Sequence, residues 1–273
     1  MPDDHVPLTT DPRTDPRPQA PAGVLELFER RARSAPHAVA LALPDGELSY
    51  GTLLDRVRHG AAALCARGLR PGTVVAVDGG DPGAAVTALL AALWARGVVL
   101  PLDPSLPPDS RAALLAQTRA ALLLRAGAAD DGPAADAVRT LAFAELVTRG
   151  ADAGDAEPAP SLSSGGACLV LGAEGTEGAE DPEGSEGSEG SGGSAGSGAT
   201  GASPDLPRTV TTTIGHATLA HQVAWVARTL SCGPGERVAQ LAGFTAGVLV
   251  RAVLPTLVAG GAVCLPSPGG APE

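Results

Sequence analysis

The stretch from Ala167 to Arg228 decides the predicted fold, and it opens with the apolar run Ala167-Cys168-Leu169-Val170-Leu171. A short apolar run of this kind is typical of a buried strand. From Gly172 to Leu206 the chain is almost wholly Gly, Ser, Glu, Ala and Thr, and the β-branched run from Pro207 to Ile214 predicts a second strand. Gly215 to Arg228 then shows helical spacing of the apolar residues Leu219, Val223 and Val226. A glycine-rich loop that leaves a buried strand can cradle phosphate, because bare backbone N–H groups reach the oxygens.

Strands and helices alternate on both sides of this stretch. Further strands are predicted at Val39–Leu43, Thr73–Val77, Val98–Leu102, Ala121–Leu124, Val238–Leu241 and Ala262–Leu265. Helices are predicted at Gly23–Ser34, Tyr50–Arg67, Pro82–Arg96, Ser110–Thr118 and Ala217–Leu230. A further helix is predicted directly before the last strand and ends at about Val258. Two of these helices have predicted N-caps, Ser49 and Asp109. The alternation predicts an α/β fold with a mainly parallel sheet and helices on both faces.

Composition divides the chain into four parts. Residues 1–21 are predicted to form a disordered tail, and residues 22–171 form the first part of an α/β subdomain. A disordered Gly/Ser/Glu-rich linker is predicted for residues 172–206, and the subdomain continues over residues 207–268. The linker is expected to be flexible because it cannot bury enough apolar area to offset the entropy of ordering.

Charge and composition exclude some classes of function. All 19 basic residues are arginine, so this chain alone cannot carry out a reaction that needs a lysine. The formal net charge is −11, and eight of the acidic residues lie between Gly172 and Arg208, largely within the predicted linker. The sequence has no basic stripe with interleaved aromatic residues, so a nucleic-acid partner is not expected.

The four cysteines are Cys65, Cys168, Cys232 and Cys264. Because they have no close spacing, they are expected to be buried free thiols in a reducing cytosol, without a zinc site. The N-terminus has neither the basic region nor the apolar core of a signal peptide, so a cytoplasmic location is expected. The apolar run Val238–Pro266 contains Arg251 and Pro255, which fits a buried helix and a strand, so no membrane contact is expected.

Two motifs in the first half of the chain match the patterns of one enzyme superfamily. Leu48 to Leu53 resembles the pattern L-[TS]-Y-x-E-L, with Thr52 where Glu is usual. Trp94 to Pro104, continued by Pro107 and Arg111, is similar to K-A-G-x-x-[YF]-V-P-[IL]-D-P-x-x-P-x-x-R. The part of the second motif from Pro101 to Arg111 is expected to form a strand-to-helix turn, since proline fixes φ there. It indicates a family without being a catalytic site.

Two later stretches extend the match. Leu219–Trp225 is similar to the helix after a phosphate loop, and Gly260–Leu265 fits a G-A-x-L-V strand. Together, residues from Gly23 to Pro266 resemble the N-terminal part of an adenylation domain of nonribosomal peptide synthetases. These domains belong to the AMP-forming ligase superfamily, with acyl-CoA synthetases and luciferase. The resemblance implies ATP and Mg²⁺ as cofactors and a carrier protein as a partner, in secondary-metabolite biosynthesis.

The resemblance also implies a phosphate loop of the pattern T-S-G-[ST]-T-G-x-P-K-G, for which two placements remain open. The first, Gly175 to Gly184, follows the predicted strand directly, but glutamates would sit where ATP oxygens lie and repel them. The second, which is preferred, uses Ser197, Gly198, Thr200, Gly201 and, at the lysine position, Arg208. For either placement a solvated spacer is the simpler interpretation, because Gly-Ser tracts arise easily without function. No productive ATP binding is therefore expected.

A predicted substrate pocket contains Phe244 and Thr245, at the place of the family's F-D-x-S motif. Amino-acid-activating relatives pair the Asp of this motif with the substrate ammonium. No Asp or Glu occurs here from Arg237 to Pro272, and an ammonium buried without a counter-charge is strongly unfavourable. Both side chains are therefore expected to face a core or an empty cleft. No catalytic or metal-binding residue is predicted.

Relatives need roughly as much chain again, which supplies the rest of the sheet, an Asp that holds the ribose, and a lid lysine. The chain is therefore expected to be a truncated, degenerate adenylation-like remnant or accessory protein that is inactive alone. Two alternatives stay open: half of a split ligase completed in trans by a second chain, and a non-catalytic module that binds a carrier protein. Without the missing elements, the strand near Val263 and the helix near Val248 are expected to expose apolar surface.

Overall fold

The structure, a computed structural model, describes residues 23–103, 105–127, 138–152, 166–174, 209–240 and 243–265. Its strands are β1 (Val39–Leu43), β2 (Gly46–Ser49), β3 (Val74–Asp78), β4 (Val98–Leu102), β5 (Leu122–Arg125), β6 (Arg139–Ala142), β7 (Ala167–Glu174), β8 (Thr209–Gly215), β9 (Arg237–Ala239) and β10 (Ala262–Cys264). Its helices are α1 (Val24–Ser34), α2 (Tyr50–Ala66), α3 (Pro82–Trp94), α4 (Pro108–Thr118), α5 (Phe143–Asp152), α6 (His216–Thr229), α7 (Ala246–Val248) and α8 (Leu254–Ala259). A π-helical segment (Leu249–Val253) joins α7 to α8. The predicted tail and residues 175–206 of the predicted linker lie outside the described residues.

Six strands form the larger sheet, in the order β6-β5-β3-β4-β7-β8. Every neighbouring pair is parallel except β7 and β8, which are antiparallel. Strand β3 lies inside this sheet, and Val75 to Val77 are fully buried, as expected for an apolar strand that is covered on both faces. The predicted α/β fold with a mainly parallel sheet is confirmed.

The smaller sheet joins strands from the two ends of the described chain, in the order β2-β1-β10-β9. Strand β10 is parallel to β1 on one side and to β9 on the other. As a result Val263 is fully buried, and Val248 packs partly buried against the core. The expectation that the strand near Val263 exposes apolar surface is therefore wrong, because β10 lies between β1 and β9 and Val263 packs in the core.

Two strands, β2 and β6, are not predicted from the sequence. Both lie at the edge of their sheet. In β2 only Leu48 is buried, and no residue of β6 is. Edge strands that bury so little show neither a continuous apolar run nor a clean alternation. Pairing with a neighbouring strand, which is a tertiary contact, decides that these residues are extended.

Two predicted helix caps have different outcomes. Ser49 caps α2 as predicted, since its Oγ accepts a hydrogen bond from Thr52 N at 3.2 Å. Asp109 is not a cap, because α4 begins one residue earlier, at Pro108. Proline suits the first position of a helix, where its fixed φ is already helical and its missing N–H has no intrahelical acceptor. Asp109 then lies in the first turn, where a carboxylate is favourable to the helix dipole.

One continuous core joins both sheets. It contains Leu41 and Val263 from the smaller sheet, together with Val75 and Val99 from the larger one. Helix α3 is buried along nearly its whole length, which explains why its sequence is almost entirely apolar rather than amphipathic. The two stretches on either side of residues 175–208 therefore fold as one structural unit.

Tyr50 ties α2 to the last helix and strand. Its hydroxyl lies 2.7 Å from the carbonyl oxygen of Gly261 and 3.0 Å from that of Leu257. The carbonyls at the end of a helix have no intrahelical partner, so a buried O–H donor satisfies a group that would otherwise be unpaired. Burial raises the pKa of Tyr50, which keeps the hydroxyl protonated and able to donate.

Replacing Tyr50 by phenylalanine is expected to destabilise the fold by about 1–2 kcal/mol, because it leaves buried carbonyls without a donor. Urea unfolding followed by circular dichroism measures the change. The matched control is Thr52→Val on the same helix, which removes an exposed hydroxyl and its solvent-exposed 3.0 Å hydrogen bond with Ser49 Oγ, and should change stability by less than about 0.5 kcal/mol. Equal stability of the Tyr50→Phe variant and the control would contradict this role for the hydroxyl.

Candidate functional site

The carboxyl ends of three neighbouring parallel strands, β3, β4 and β5, meet at one edge of the larger sheet. The residues that follow them are the turn Gly79–Asp81, then Asp103, and the stretch Ala126–Gly127. Ligands of open α/β sheets bind outside the carboxyl ends of the strands. This edge is therefore where the fold places a candidate site.

The segment Gly243–Thr245 packs directly on this edge. Phe244 lies on Gly79, where an added Cβ would come closer than 3.0 Å to the Phe244 Cβ. Gly243 meets Asp103, whose Oδ2 would be 2.5 Å from a Cβ added at position 243. Glycine allows this close approach because it has no side chain. The two glycines therefore set the position of the segment.

The structure separates the two residues of the predicted substrate pocket. Phe244 is 3% exposed and belongs to the core. Thr245 is half-buried and is the N-cap of α7, where its Oγ1 accepts a hydrogen bond from Val248 N at 3.3 Å. Thr245 also lines an open cleft. Contact of either residue with a substrate stays a prediction.

The cleft has a volume of about 450 Å³ and lies beside the carboxyl end of β9. Its lining residues are Ala239, Gln240, Thr245, Gly247, Val248, Arg251 and Ala252. Among them only Arg251 is charged, and it belongs to the π-helical segment, a kind of turn that is frequent at functional sites. Sequence reasoning misses Gln240 and Arg251 as site residues. One feature of the sequence could have identified Arg251: it is the one charged residue in the apolar run Val238–Pro266.

Asp103 has a structural role at the same edge. Its Oδ1 accepts hydrogen bonds from Ser105 N at 2.9 Å and from Ser105 Oγ at 2.7 Å. Its backbone carbonyl accepts a further bond from Leu106 N at 3.1 Å. These bonds hold the turn between β4 and α4. The prediction that the chain from Pro101 to Arg111 forms a strand-to-helix turn is confirmed, since β4 ends at Leu102 and α4 begins at Pro108.

The predicted phosphate loop lies outside the described residues. This holds for all of its members, Ser197, Gly198, Thr200, Gly201 and Arg208. The strands that flank it are described, and Glu174 at the end of β7 pairs with Thr209 at the start of β8. Residues 175–208 therefore leave and rejoin the sheet at the same point, and the role of the loop residues stays a prediction.

Two groups with shifted pKa values lie at the opposite end of this strand pair. Burial raises the pKa of the Cys168 thiol to about 12, so it stays protonated and donates to the Ile214 carbonyl at 3.2 Å. Burial, with the nearby Arg96, lowers the pKa of His216. Neither residue is among those that line the cleft. All four cysteines are unbridged, as predicted, although Cys65 is exposed.

The described residues contain neither a metal-binding cluster nor a membrane-spanning helix. Within the described ranges, no group of three His, Cys, Asp or Glu side chains could hold a metal ion. The side chains that the structure describes therefore do not fit a resident Mg²⁺ held by the protein alone, and no chemical step is derived through that ion. None of the described helices is long and apolar enough to cross a membrane.

These features define an α/β protein with a candidate ligand cleft beside the carboxyl end of β9, a parallel strand of its smaller sheet. Solved structures share this fold. The NpsA N-terminal subdomain of Klebsiella oxytoca, in complex with 3-hydroxyanthranilyl-AMSN, matches with a TM-score of 0.69 and 17% identity over 92% of this chain and 55% of that one. NpsA-ThdA from the same organism, an artificially fused adenylation-PCP di-domain, matches with a TM-score of 0.69 and 18% identity, over 92% of this chain and 41% of that one.

Sequence comparison leads to the family. Nonribosomal peptide synthetase 8 of Aspergillus fumigatus is 28% identical over 90% of this chain, although the match spans only 3% of that synthetase. The model of the AMP-binding enzyme family matches residues 28–192. The chain belongs to the AMP-binding enzyme family. Its resemblance to the N-terminal part of a nonribosomal peptide synthetase adenylation domain is confirmed.

Proposed function

We propose that this chain is the acid-binding part of an adenylating ligase of nonribosomal peptide synthesis, and that it does not form an acyl-adenylate by itself. The observation that carries this proposal is the cleft at the start of α7. It lies beside the carboxyl end of β9, a parallel strand of the smaller sheet, and the carboxyl ends of parallel strands are where open α/β sheets bind ligands. Its volume of about 450 Å³ suits a small molecule. Similarity to the Aspergillus synthetase supports the biosynthetic context.

Electrostatics explain why the chain alone is expected to be inactive. Adenylation brings a carboxylate into contact with the triphosphate of ATP, and both are anionic. Several preorganised donors or cations must offset the repulsion. The chain contains no lysine, and Arg251 is the one charged residue of the cleft lining. Because the loss of a single preorganised donor costs about 3–4 kcal/mol in the transition state, the absence of several leaves the barrier high.

For the nucleotide we retain the proposed phosphate loop of Ser197, Gly198, Thr200, Gly201 and Arg208. In this proposal the hydroxyls and the glycine backbone donate to phosphate oxygens, and Arg208 stands at the position where relatives carry a lysine. A planar guanidinium differs from a compact ammonium in position and reach. ATP binding at this loop is therefore proposed to be unproductive without a second cation.

The test is pyrophosphate exchange with the purified protein. We expect no exchange of labelled pyrophosphate into ATP that depends on an added amino, aryl or fatty acid. An adenylation domain of known activity, assayed in parallel, shows that the conditions support exchange. Exchange above background that is lost in the Arg208→Ala variant would overturn the proposal and make Arg208 a catalytic residue.

A carrier protein is the proposed partner, because the fused structure to which this chain is similar combines an adenylation domain with a PCP. The same assay separates the remaining alternatives. Exchange that appears only when a second chain is added would support a split ligase completed in trans. Binding of a carrier protein without any exchange would support a non-catalytic binding module.

A further inference from the structure

The helical segment from Ala246 to Val253 has two faces with different surroundings. One face carries Ala246, Leu249, Val250 and Val253, which are buried in the core. The other carries residues of the cleft lining, among them Val248 and Arg251. Arg251 is exposed, so its guanidinium stands at the cleft without the desolvation that burial would impose. The π-helical segment thus presents a solvated cation to a cleft whose other described lining residues are uncharged.

The charge of the cleft is unbalanced. None of the described residues that line it is acidic, and no Asp or Glu occurs anywhere from Arg237 to Pro272. Arg251 makes no ion pair with another described residue. At the cleft rim, the Oγ1 of Thr245 accepts from Val248 N, which leaves its O–H able to donate. The polar groups here are thus suited to an anion rather than to a cation.

We propose that this cleft selects a small diacid that carries no ammonium group, with its second carboxylate paired to Arg251. The proposal rests on the acid-binding role given above. In that role the reacting carboxylate is directed to the nucleotide, and the proposal places a second carboxylate at Arg251. A guanidinium binds a carboxylate through two parallel hydrogen bonds, whereas an ammonium at the same place meets a like charge.

The test compares three acids of equal chain length without ATP: succinate, 4-aminobutanoate and butanoate. Each is titrated into the full chain at low ionic strength, and binding is followed by NMR chemical shifts. We expect succinate to bind about tenfold more tightly than the other two, since a charge-assisted hydrogen bond contributes about that much. Equal affinity for the three acids would overturn the proposal without any variant.

Two variants test whether the second carboxylate contacts Arg251. Arg251→Gln is expected to remove the preference for succinate. Arg237→Gln is the matched control, because Arg237 is also exposed but pairs with Glu47 and does not line the cleft. A preference that survives in Arg251→Gln, or is lost equally in Arg237→Gln, would overturn the proposal.

The binding assay tests the ligand class and the exchange assay tests the proposed inactivity, so either claim can be overturned without the other. Diacid-dependent exchange by the chain alone would overturn its proposed inactivity and leave the diacid preference intact. Loss of the preference, with no exchange, would overturn only the assignment of the ligand class.

Discussion

Replacing Val263 by aspartate is expected to prevent the chain from folding. Val263 is fully buried in β10, where it pairs with Leu41 of β1 and with Val238 of β9. An unpaired carboxylate at this position costs several kcal/mol, against a typical domain stability of about 5–15 kcal/mol. The protonated form would still leave a polar group without a partner in the core.

Circular dichroism and thermal unfolding measure this effect. The matched control is Val263→Ala, which removes two methyl groups without adding charge and should cost on the order of 1–3 kcal/mol. The aspartate variant should lack a cooperative transition, and the alanine variant should keep one at a lower temperature. Similar cooperative transitions in the two variants would show that β10 is not central to the fold.

Replacing Gly79 by alanine is expected to displace the segment that carries Phe244 and Thr245. An added Cβ at position 79 would come closer than 3.0 Å to the Phe244 Cβ, so one of the two backbones must move. Overpacking of this kind costs about 1–3 kcal/mol. Because Thr245 follows Phe244 directly and lines the cleft, the displacement should also weaken binding of an acid there.

Gly80→Ala is the matched control, since its added Cβ would have its nearest neighbour at 3.9 Å. Unfolding in urea should show a loss of stability for Gly79→Ala and little change for Gly80→Ala. The succinate titration should show the same order. If the two variants behave alike, the close contact between Gly79 and Phe244 does not position the cleft.

The local sequence was sufficient to predict an element where the interactions that form it are made among its own residues. Strand β4 has the predicted bounds, Val98 to Leu102, because a continuous apolar run reports burial on both faces. Helix α2 begins after Ser49 as predicted, because its capping hydrogen bond is made within four residues. The predicted cap at Asp109 is wrong for a reason that is also local, the neighbouring pair of prolines.

By itself, then, the sequence determined the α/β class, the positions of most elements, the family, and a chemistry without lysine. Only the tertiary structure decided how the strands divide between two sheets, and that β10 lies buried between β1 and β9. It alone also placed Phe244 in the core and Thr245 with Arg251 at a cleft. The difference arises from the separation along the chain between the residues that interact. Apolar periodicity and capping act between residues a few positions apart, whereas strand order and the close contact of Gly79 with Phe244 join residues that are distant in the chain.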